Sequence, residues 1–162
     1  MRVRKIISTT SLKLKIKRLK QDGKRIVFTN GCFDILHYGH TKYLQDAKSK
    51  GDYLVVAVNS DASIRKIKDK NRPVIKQSDR LKVIAALGCV DFVVLFNEDN
   101  PLKLIKALKP DVLIKGSDWS KKRIVGADFV ESYGGKVETI NLVKGRSTSA
   151  IIEKIVRDFA KR

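Results

Sequence analysis

His37 and His40 are the only two histidines among the 162 residues of the chain, and they lie three positions apart. On a helix this spacing places two side chains about one turn apart, so both can face one ligand. Gly31 lets the backbone approach a bulky anion because no Cβ intrudes, and Gly39 keeps the surface between the imidazoles open. The start of a helix also offers unpaired N–H groups to phosphate. The pattern predicts a phosphate-binding turn, and local helix capping is the alternative. Metal binding by the two histidines is disfavoured, because no third ligand follows at helical spacing.

A second candidate anion site lies near the end of the chain. Ser147, Thr148 and Ser149 follow Gly145 and Arg146, at the start of a segment with helical periodicity. Hydroxyls at a helix N-terminus either cap the helix or bind anions, and Ser147 alone is typical of a cap. Together with Arg146, the three hydroxyls favour a phosphate clamp facing the first one.

The remaining reactive side chains indicate charge stabilisation rather than covalent catalysis. Residues 59–77 are polar and basic, which predicts a partly mobile functional loop. Cys32 has a backbone position in the glycine turn that already explains it, and we find no Ser/His/Asp or Cys/His nucleophile set. Such residues can bind phosphate and stabilise charge by positioning and electrostatics.

Short β-branched runs alternate with helical periodicity, which predicts βαβ units. We expect an α/β fold, a Rossmann-like doubly wound parallel sheet of about five strands, in a single domain over 1–162 with 1–24 as a basic helical extension packed on it. Ser78 and Asn100 are the predicted N-caps of two helices. The predicted strands are 25–29, 53–58, 91–95, 111–114 and 136–140, and the predicted helices are 9–21, 38–49, 78–87, 101–108, 126–133 and one starting near Ser147.

Four polar segments follow predicted strands: 30–40, 59–73, 115–119 and 144–149. In doubly wound folds ligands bind beyond the carboxyl ends of the strands, where the strand order reverses. We therefore expect these segments to meet in one site.

The charge balance is strongly positive. Lys and Arg number 35 against 17 Asp and Glu, a formal net charge of +18, and ten of the basic residues with a single acid fall in 1–25. This excess favours anionic partners, with a solvated cationic face as the alternative for the N-terminal cluster. Two cysteines are too few to indicate a disulfide framework. Because the chain also has no apolar run of about 20 residues and no signal-peptide pattern, we expect a cytoplasmic protein without membrane insertion.

Four segments together resemble a known family. The run Gly31-Cys-Phe-Asp-Ile-Leu-His-Tyr-Gly-His40 is similar to the HxGH signature of the cytidylyltransferase-like superfamily. With Asn-Ser-Asp at 59–61, Lys-Gly-Ser-Asp-Trp at 115–119 and Gly-Arg-Ser-Thr-Ser at 145–149, the chain resembles the D-glycero-D-manno-heptose 1-phosphate adenylyltransferases, the ADP-heptose synthases. The resemblance covers nearly the whole chain.

The resemblance implies roles for the matching residues. His37 and His40 would contact the nucleotide phosphates and stabilise the transition state, and Lys68 would reach the phosphates from the loop. The family usually carries glycine after this lysine, whereas Asp69 follows it here, so Lys66 and Lys70 stay open as alternatives. The implied nucleotide-binding residues are Asn30, Gly31, Cys32, Phe33, Gly39, Asp118, Trp119, Ser147, Thr148 and Ser149, and those implied near the substrate phosphate are Asp34, Lys115 and Arg146.

The implied reaction is transfer of AMP from ATP, with Mg²⁺, to a heptose 1-phosphate for lipopolysaccharide precursor synthesis. No protein metal ligands are expected. Since no kinase domain is recognised here, a separate heptose kinase would act first. The resemblance further implies a homo-oligomer, with a dimer as the first candidate, in which 78–87 forms an interface and Arg80 either pairs there or supports the site. The alternatives are a glycerol-3-phosphate-type cytidylyltransferase and, from a different class, a basic nucleic-acid-binding protein, which the scarcity of aromatic residues disfavours.

Overall fold

The computed structural model describes residues 5–68, 70–120 and 123–160. The ends of the predicted domain, 1–4 and 161–162, lie outside the described residues, as does Asp69 of the predicted loop. The described strands are β1 (Ile26–Gly31), β2 (Tyr53–Asn59), β3 (Phe92–Phe96), β4 (Val112–Gly116) and β5 (Lys136–Ile140). The described helices are α1 (Thr9–Gln21), α2 (Tyr38–Lys48), α3 (Asp61–Ile67), α4 (Gln77–Ala86), α5 (Leu102–Leu108), α6 (Ala127–Glu131) and α7 (Thr148–Phe159).

The strands form one parallel sheet in the order β3-β2-β1-β4-β5. The continuous apolar run of β2 is explained by burial on both faces, since parallel sheets are covered by helices on each side. Phe28 packs with Leu12 of α1 and Leu104 of α5 on one face. Val27 packs with Leu44 of α2 on the other. The predicted doubly wound parallel sheet is confirmed.

The strand order reverses between β1 and β4, and the pairing there is short. β1 pairs with β2 from Ile26 to Gly31. In contrast, β1 pairs with β4 only at Val27 and Phe28. The two strands therefore diverge towards their carboxyl ends, and this opens a crevice in the middle of the sheet.

Helix α1 was predicted with its observed bounds. Its apolar stripe buries Leu12 and Ile16 against the sheet. The helix contains five lysines and arginines and no acidic residue. Among the described residues no helix has the length and apolar character needed to cross a bilayer.

The predicted loop 59–77 is partly wrong, because seven of its residues form α3. Two features that the basic residues obscured explain this helix. Ser60 caps it by accepting a hydrogen bond from the amide of Ser63 at 3.2 Å, and Ile64 is fully buried.

Two capping predictions are also wrong in detail. Ser78 lies inside the first turn of α4, because the helix begins one residue earlier, at Gln77. The side-chain Oε1 of Gln77 accepts a hydrogen bond from the amide of Asp61 at 2.9 Å. Pro101 occupies the N-cap position of α5, and Asn100 Oδ1 accepts from the amide of Leu102 at 3.1 Å.

Candidate active site

A cavity of about 730 Å³ opens beyond the carboxyl ends of β1 and β4. Its volume suits a nucleotide-sized ligand. All of the residues predicted for the site line it, although they come from four separate segments of the chain. They are Asn30, Gly31, Cys32, Phe33, Asp34, His37, Gly39, His40, Lys68, Lys115, Asp118, Trp119, Arg146, Ser147, Thr148 and Ser149.

The turn between β1 and α2 is packed so tightly that a side chain in place of either glycine would crowd a neighbouring ring. A Cβ on Gly31 would lie 3.0 Å from the ring of Phe33, and a Cβ on Gly39 would lie 3.0 Å from the ring of His37. Phe33 has a φ of 47°, in the left-handed region that a bulky residue seldom adopts. The backbone of this turn is thus held in one shape by its own side chains.

The two histidines stack on each other inside the cavity, with ring centroids 3.9 Å apart. Both ring nitrogens of His37 and Nδ1 of His40 are buried without a hydrogen-bond partner in the described structure. Buried polar atoms are ordinarily paired, so these nitrogens indicate a polar ligand. His37 precedes α2 as its N-cap residue but makes no side-chain capping bond, which argues against the capping alternative.

Burial keeps both imidazoles neutral. It lowers the pKa of His37, and the nearby Arg146 guanidinium lowers that pKa further. Burial and the neighbouring His37 lower the pKa of His40 from 6.5 to about 4, against opposing effects of the Ile35 backbone and Asp34. Neutral imidazoles can donate N–H groups to phosphate oxygens, and a bound phosphate would favour their protonation.

The start of α7 forms the wall opposite the histidines. Ser147 caps the helix, with Oγ accepting from the amide of Ala150 at 3.1 Å, as its sequence position suggested. Thr148 and Ser149 also line the cavity. A Cβ on Gly39 would lie 3.2 Å from Cβ of Arg146, so the two helix starts face each other at close range.

Side chains bridge β1 and β4 where their backbones separate. The hydroxyl of Tyr43 lies 2.7 Å from Oγ1 of Thr29 on β1 and donates to the carbonyl of Ile114 on β4 at 3.3 Å. Burial raises the pKa of Tyr43, so the phenol remains a neutral donor. Tyr43 was not predicted as a site residue, because its two partners lie 14 and 71 positions away.

Lys115 makes the second bridge. Its Nζ donates to Oδ1 of Asn30 at 3.0 Å and lies 5.3 Å from the ring centroid of Trp119. Burial lowers the pKa of Lys115. The ammonium group thus stands at the base of the crevice.

Asp34 positions a neighbouring segment. Its carboxylate accepts hydrogen bonds from Nε of Arg72 at 2.7 Å and from the amides of Val74 and Ile75 at 3.0 and 2.8 Å. Burial alone would raise the pKa of Asp34, but the two amides and Arg72 outweigh it, and the pKa is lowered. Asp34 lines the cavity and holds Arg72 and the backbone of residues 74–75 beside it; its implied place near the substrate phosphate stays a prediction.

Arg80 ties three parts of the site together. Its guanidinium is fully buried and donates to the carbonyls of Cys32 and Ile75 at 2.6 and 2.9 Å and to Oδ1 of Asp61 at 2.7 Å. Of the two predicted roles for Arg80, the structure shows the supporting one. A single arginine in a helical pattern gave no signal of these distant partners.

Lys68 is the cavity-lining member of the three candidate loop lysines. Lys66 points to Asp99, with Nζ and Oδ1 3.3 Å apart, and neither Lys66 nor Lys70 lines the cavity. Cys32 is also in the cavity, but burial raises the pKa of its thiol, which disfavours a thiolate nucleophile.

The cytidylyltransferase-like family model matches residues 28–155. The bifunctional protein HldE of Geobacter metallireducens is 56% identical over 146 residues, which cover 90% of this chain and 30% of that protein. The bifunctional protein HldE of Campylobacter fetus subsp. fetus is 55% identical over 152 residues, covering 94% of this chain and 31% of that protein. The chain thus spans about a third of the length of these curated relatives.

Solved structures share the fold. The lipopolysaccharide core biosynthesis protein from Thermoplasma volcanium is 31% identical with a TM-score of 0.63, covering 76% of this chain and all of that one. A pantoate-beta-alanine ligase from Francisella tularensis shares the fold at a TM-score of 0.62 and 15% identity, covering 96% of this chain and 80% of that one. The match over most of the chain agrees with the arrangement of the HxGH turn at the sheet crevice. The protein belongs to the cytidylyltransferase-like family.

Proposed function

We propose that the chain transfers the adenylyl group of ATP to a heptose 1-phosphate and releases pyrophosphate, forming ADP-heptose for lipopolysaccharide precursor synthesis. The observation that carries the proposal is the stack of His37 and His40, which line a cavity of nucleotide size and have three buried ring nitrogens without a hydrogen-bond partner in the described structure. The opposite wall supplies hydroxyls and Arg146. This arrangement provides donors and positive charge on two sides of a triphosphate.

The reaction needs little proton transfer. An oxygen of the sugar phosphate attacks the α-phosphorus in line. The bond from that phosphorus to the oxygen bridging to the β-phosphorus breaks, and pyrophosphate leaves with that oxygen. Because the attacking phosphate is already an anion near neutral pH, the site has mainly to position the two reactants and stabilise developing charge.

The chain offers suitable groups for both tasks. The imidazole N–H groups of His37 and His40 would donate to phosphate oxygens, and Lys68 and Arg146 would offset the charge that develops on pyrophosphate. Lys115 lies deeper in the crevice, where it would contact the second substrate or the nucleotide. Its lowered pKa follows from burial, so a bound anion would stabilise its charged form.

Mg²⁺ would enter as part of the ATP substrate. The described residues contain no cluster of three His, Cys, Asp or Glu side chains suited to hold a metal, and three donors from residues 72–75 already bind the carboxylate of Asp34. Mg²⁺ readily keeps phosphate and water ligands and needs few from protein. The donor set therefore fits an ion carried on the triphosphate.

The choice of heptose rests on resemblance. The motif segments are most similar to those of the heptose 1-phosphate adenylyltransferases, and the related Thermoplasma volcanium structure is of a lipopolysaccharide core biosynthesis protein. As the resemblance implies, we propose that a heptose kinase supplies the sugar phosphate. We also propose one domain over 1–162, a cytoplasmic location and a homodimer.

The test is pyrophosphate release from ATP, CTP and GTP, each paired with heptose 1-phosphate, glycerol 3-phosphate and other sugar phosphates. We expect the highest kcat/KM for ATP with heptose 1-phosphate, without added nucleic acid. His40→Ala should lower kcat by about 10²–10³ while the protein stays folded. Tyr38→Phe is the matched control, since Tyr38 lies on the same turn but is exposed to solvent.

Three outcomes would contradict the proposal. A preference for CTP with glycerol 3-phosphate would assign the glycerol-3-phosphate-type activity. Release that requires nucleic acid would favour the basic nucleic-acid-binding alternative. Wild-type turnover in folded His40→Ala would remove the histidines from the catalytic role.

A further inference from the structure

Helices α1 and α5 lie side by side on one face of the sheet and share a cationic outer surface. Both helices bury their apolar residues in the same core cluster. Lys20 of α1 donates to the carbonyl of Lys109, just after α5. Neither helix contains an acidic residue. Their exposed basic residues, which together we call the cationic face, are Lys13, Lys17, Arg18, Lys103 and Lys106.

Most of the charge of the cationic face is not neutralised by the chain itself. Lys103 lies 3.3 Å from a carboxylate oxygen of Glu98. The other four members form no ion pair with any described residue. On the opposite face of the sheet, in contrast, Lys42 and Lys48 of α2 are each paired with an aspartate. The cationic face thus keeps its positive charge available for an anionic partner.

An exposed leucine lies among the basic residues of α1. Leu12 and Ile16 turn inward and are buried, whereas Leu14 points away from the sheet and is 61% exposed. Lys17 and Arg18 follow it at three and four positions, so they flank it on the outer side of the helix. An apolar side chain surrounded by basic residues is typical of helices that lie on the surface of an anionic bilayer.

These features favour a bilayer over a nucleic acid as the partner. A nucleic acid offers phosphates but no apolar layer for Leu14, whereas an anionic bilayer offers both phosphates and acyl chains. Single-stranded nucleic acids commonly stack their bases on aromatic side chains, and α1 and α5 contain none. Four of the five basic residues are lysines, which contact phosphate as point charges and lack the bidentate geometry of arginine.

We propose that the cationic face binds peripherally to a membrane surface that carries anionic phospholipids, with Leu14 entering the boundary between headgroups and acyl chains. Each Lys or Arg near such a surface strengthens binding about fivefold, so five residues supply about three orders of magnitude. None of the five lines the ligand cavity, so membrane binding leaves the cavity open. The proposal is independent of the substrate, because it rests on α1 and α5 alone.

Co-sedimentation of the full chain with lipid vesicles at near-physiological salt tests the charge of the face. The chain should bind vesicles of equal parts phosphatidylglycerol and phosphatidylcholine, and it should not bind phosphatidylcholine alone. The double variant Lys13→Glu/Lys17→Glu should bind at least about 25-fold more weakly, since two attractive charges are lost. Lys76→Glu/Lys82→Glu is the matched control. Both of its lysines are exposed at α4, which packs on the other side of the sheet, so its binding should stay within about threefold of the wild type.

A second pair of variants tests the apolar contact. Leu14→Ser should weaken binding to the mixed vesicles by about 10-fold. Val83→Ser is the matched control, because Val83 is also exposed but lies on α4, and it should bind like the wild type.

Five outcomes would overturn the proposal. They are no binding of the wild type to the mixed vesicles, equal binding to phosphatidylcholine alone, equal losses in the two double variants, unchanged binding of Leu14→Ser, and tighter binding to nucleic acid with the same loss in Lys13→Glu/Lys17→Glu. The last outcome would assign the face to nucleic acid. None of these measurements uses ATP or a sugar phosphate, so they are unaffected by failure of the proposed activity.

Discussion

Lowering the pH from 7 to 5 should destabilise the protein through His40. Burial and the adjacent His37 hold the pKa of His40 at about 4 in the folded chain, against 6.5 for an unperturbed histidine. As the pH falls through 6.5, the unfolded chain takes up this proton while the folded chain does not. The free energy of unfolding must therefore fall with pH between about 6.5 and 4.

The size of the effect follows from the two pKa values. At pH 5 the unfolded imidazole is almost fully protonated and the folded one is mostly neutral, which corresponds to a loss of about 2 kcal/mol relative to pH 7. The full loss, below pH 4, is about 3 kcal/mol. Measuring at pH 5 keeps most carboxylates ionised, so their protonation adds little.

Two measurements check this prediction. The free energy of unfolding, measured with urea, should fall between pH 7 and pH 5 by about 2 kcal/mol less in His40→Gln than in the wild type. In NMR titrations the two histidines give one ring signal set each, and the His40 midpoint should lie near 4 and rise when an ATP analogue binds. Equal pH sensitivity of the two proteins, or a midpoint for free His40 near 6.5, would contradict this pH dependence.

Three further predictions concern the site. Gly39→Ala should reduce kcat by about 10- to 100-fold, because the new Cβ would lie 3.0 Å from the His37 ring. Gly88→Ala is the control and should leave kcat unchanged, because its new Cβ would have nothing within 4 Å. Steady-state kinetics of both variants tests this. Tyr43→Phe should lower the free energy of unfolding by about 1–3 kcal/mol, since it leaves polar groups of β1 and β4 without their shared partner. An unchanged free energy in urea unfolding would show that this bridge does not stabilise the protein. Amide exchange in residues 64–68 should slow when ATP and Mg²⁺ bind, because Lys68 would then contact phosphate, and identical exchange with and without nucleotide would contradict this.

The sequence predicted the elements whose patterns are local. The bounds of α1 and β5 agree with the structure, because apolar periodicity and β-branched runs are read directly from neighbouring residues. The segments after the strands meet in one cavity as expected, since all parallel strands present their carboxyl ends at the same edge.

The features that were missed depend on distant partners or on local signals that neighbouring charged residues obscure. Helix α3 was predicted as loop because Arg65 and Lys66 dominate its composition, while the burial of Ile64 depends on tertiary contacts. The roles of Arg80 and Tyr43 arise from hydrogen bonds across 48 and 71 positions. No pattern along one sequence encodes such partners.

The short pairing between β1 and β4 has a mechanical consequence. A sheet resists shear mainly through its ladder of backbone hydrogen bonds, and here the ladder is shortest along the line where the ligand cavity opens. The backbone pairing between strands β3, β2 and β1 on one side and strands β4 and β5 on the other is therefore confined to two residue pairs. A nucleotide held by residues from both sides would add contacts across this line and so stiffen the sheet there.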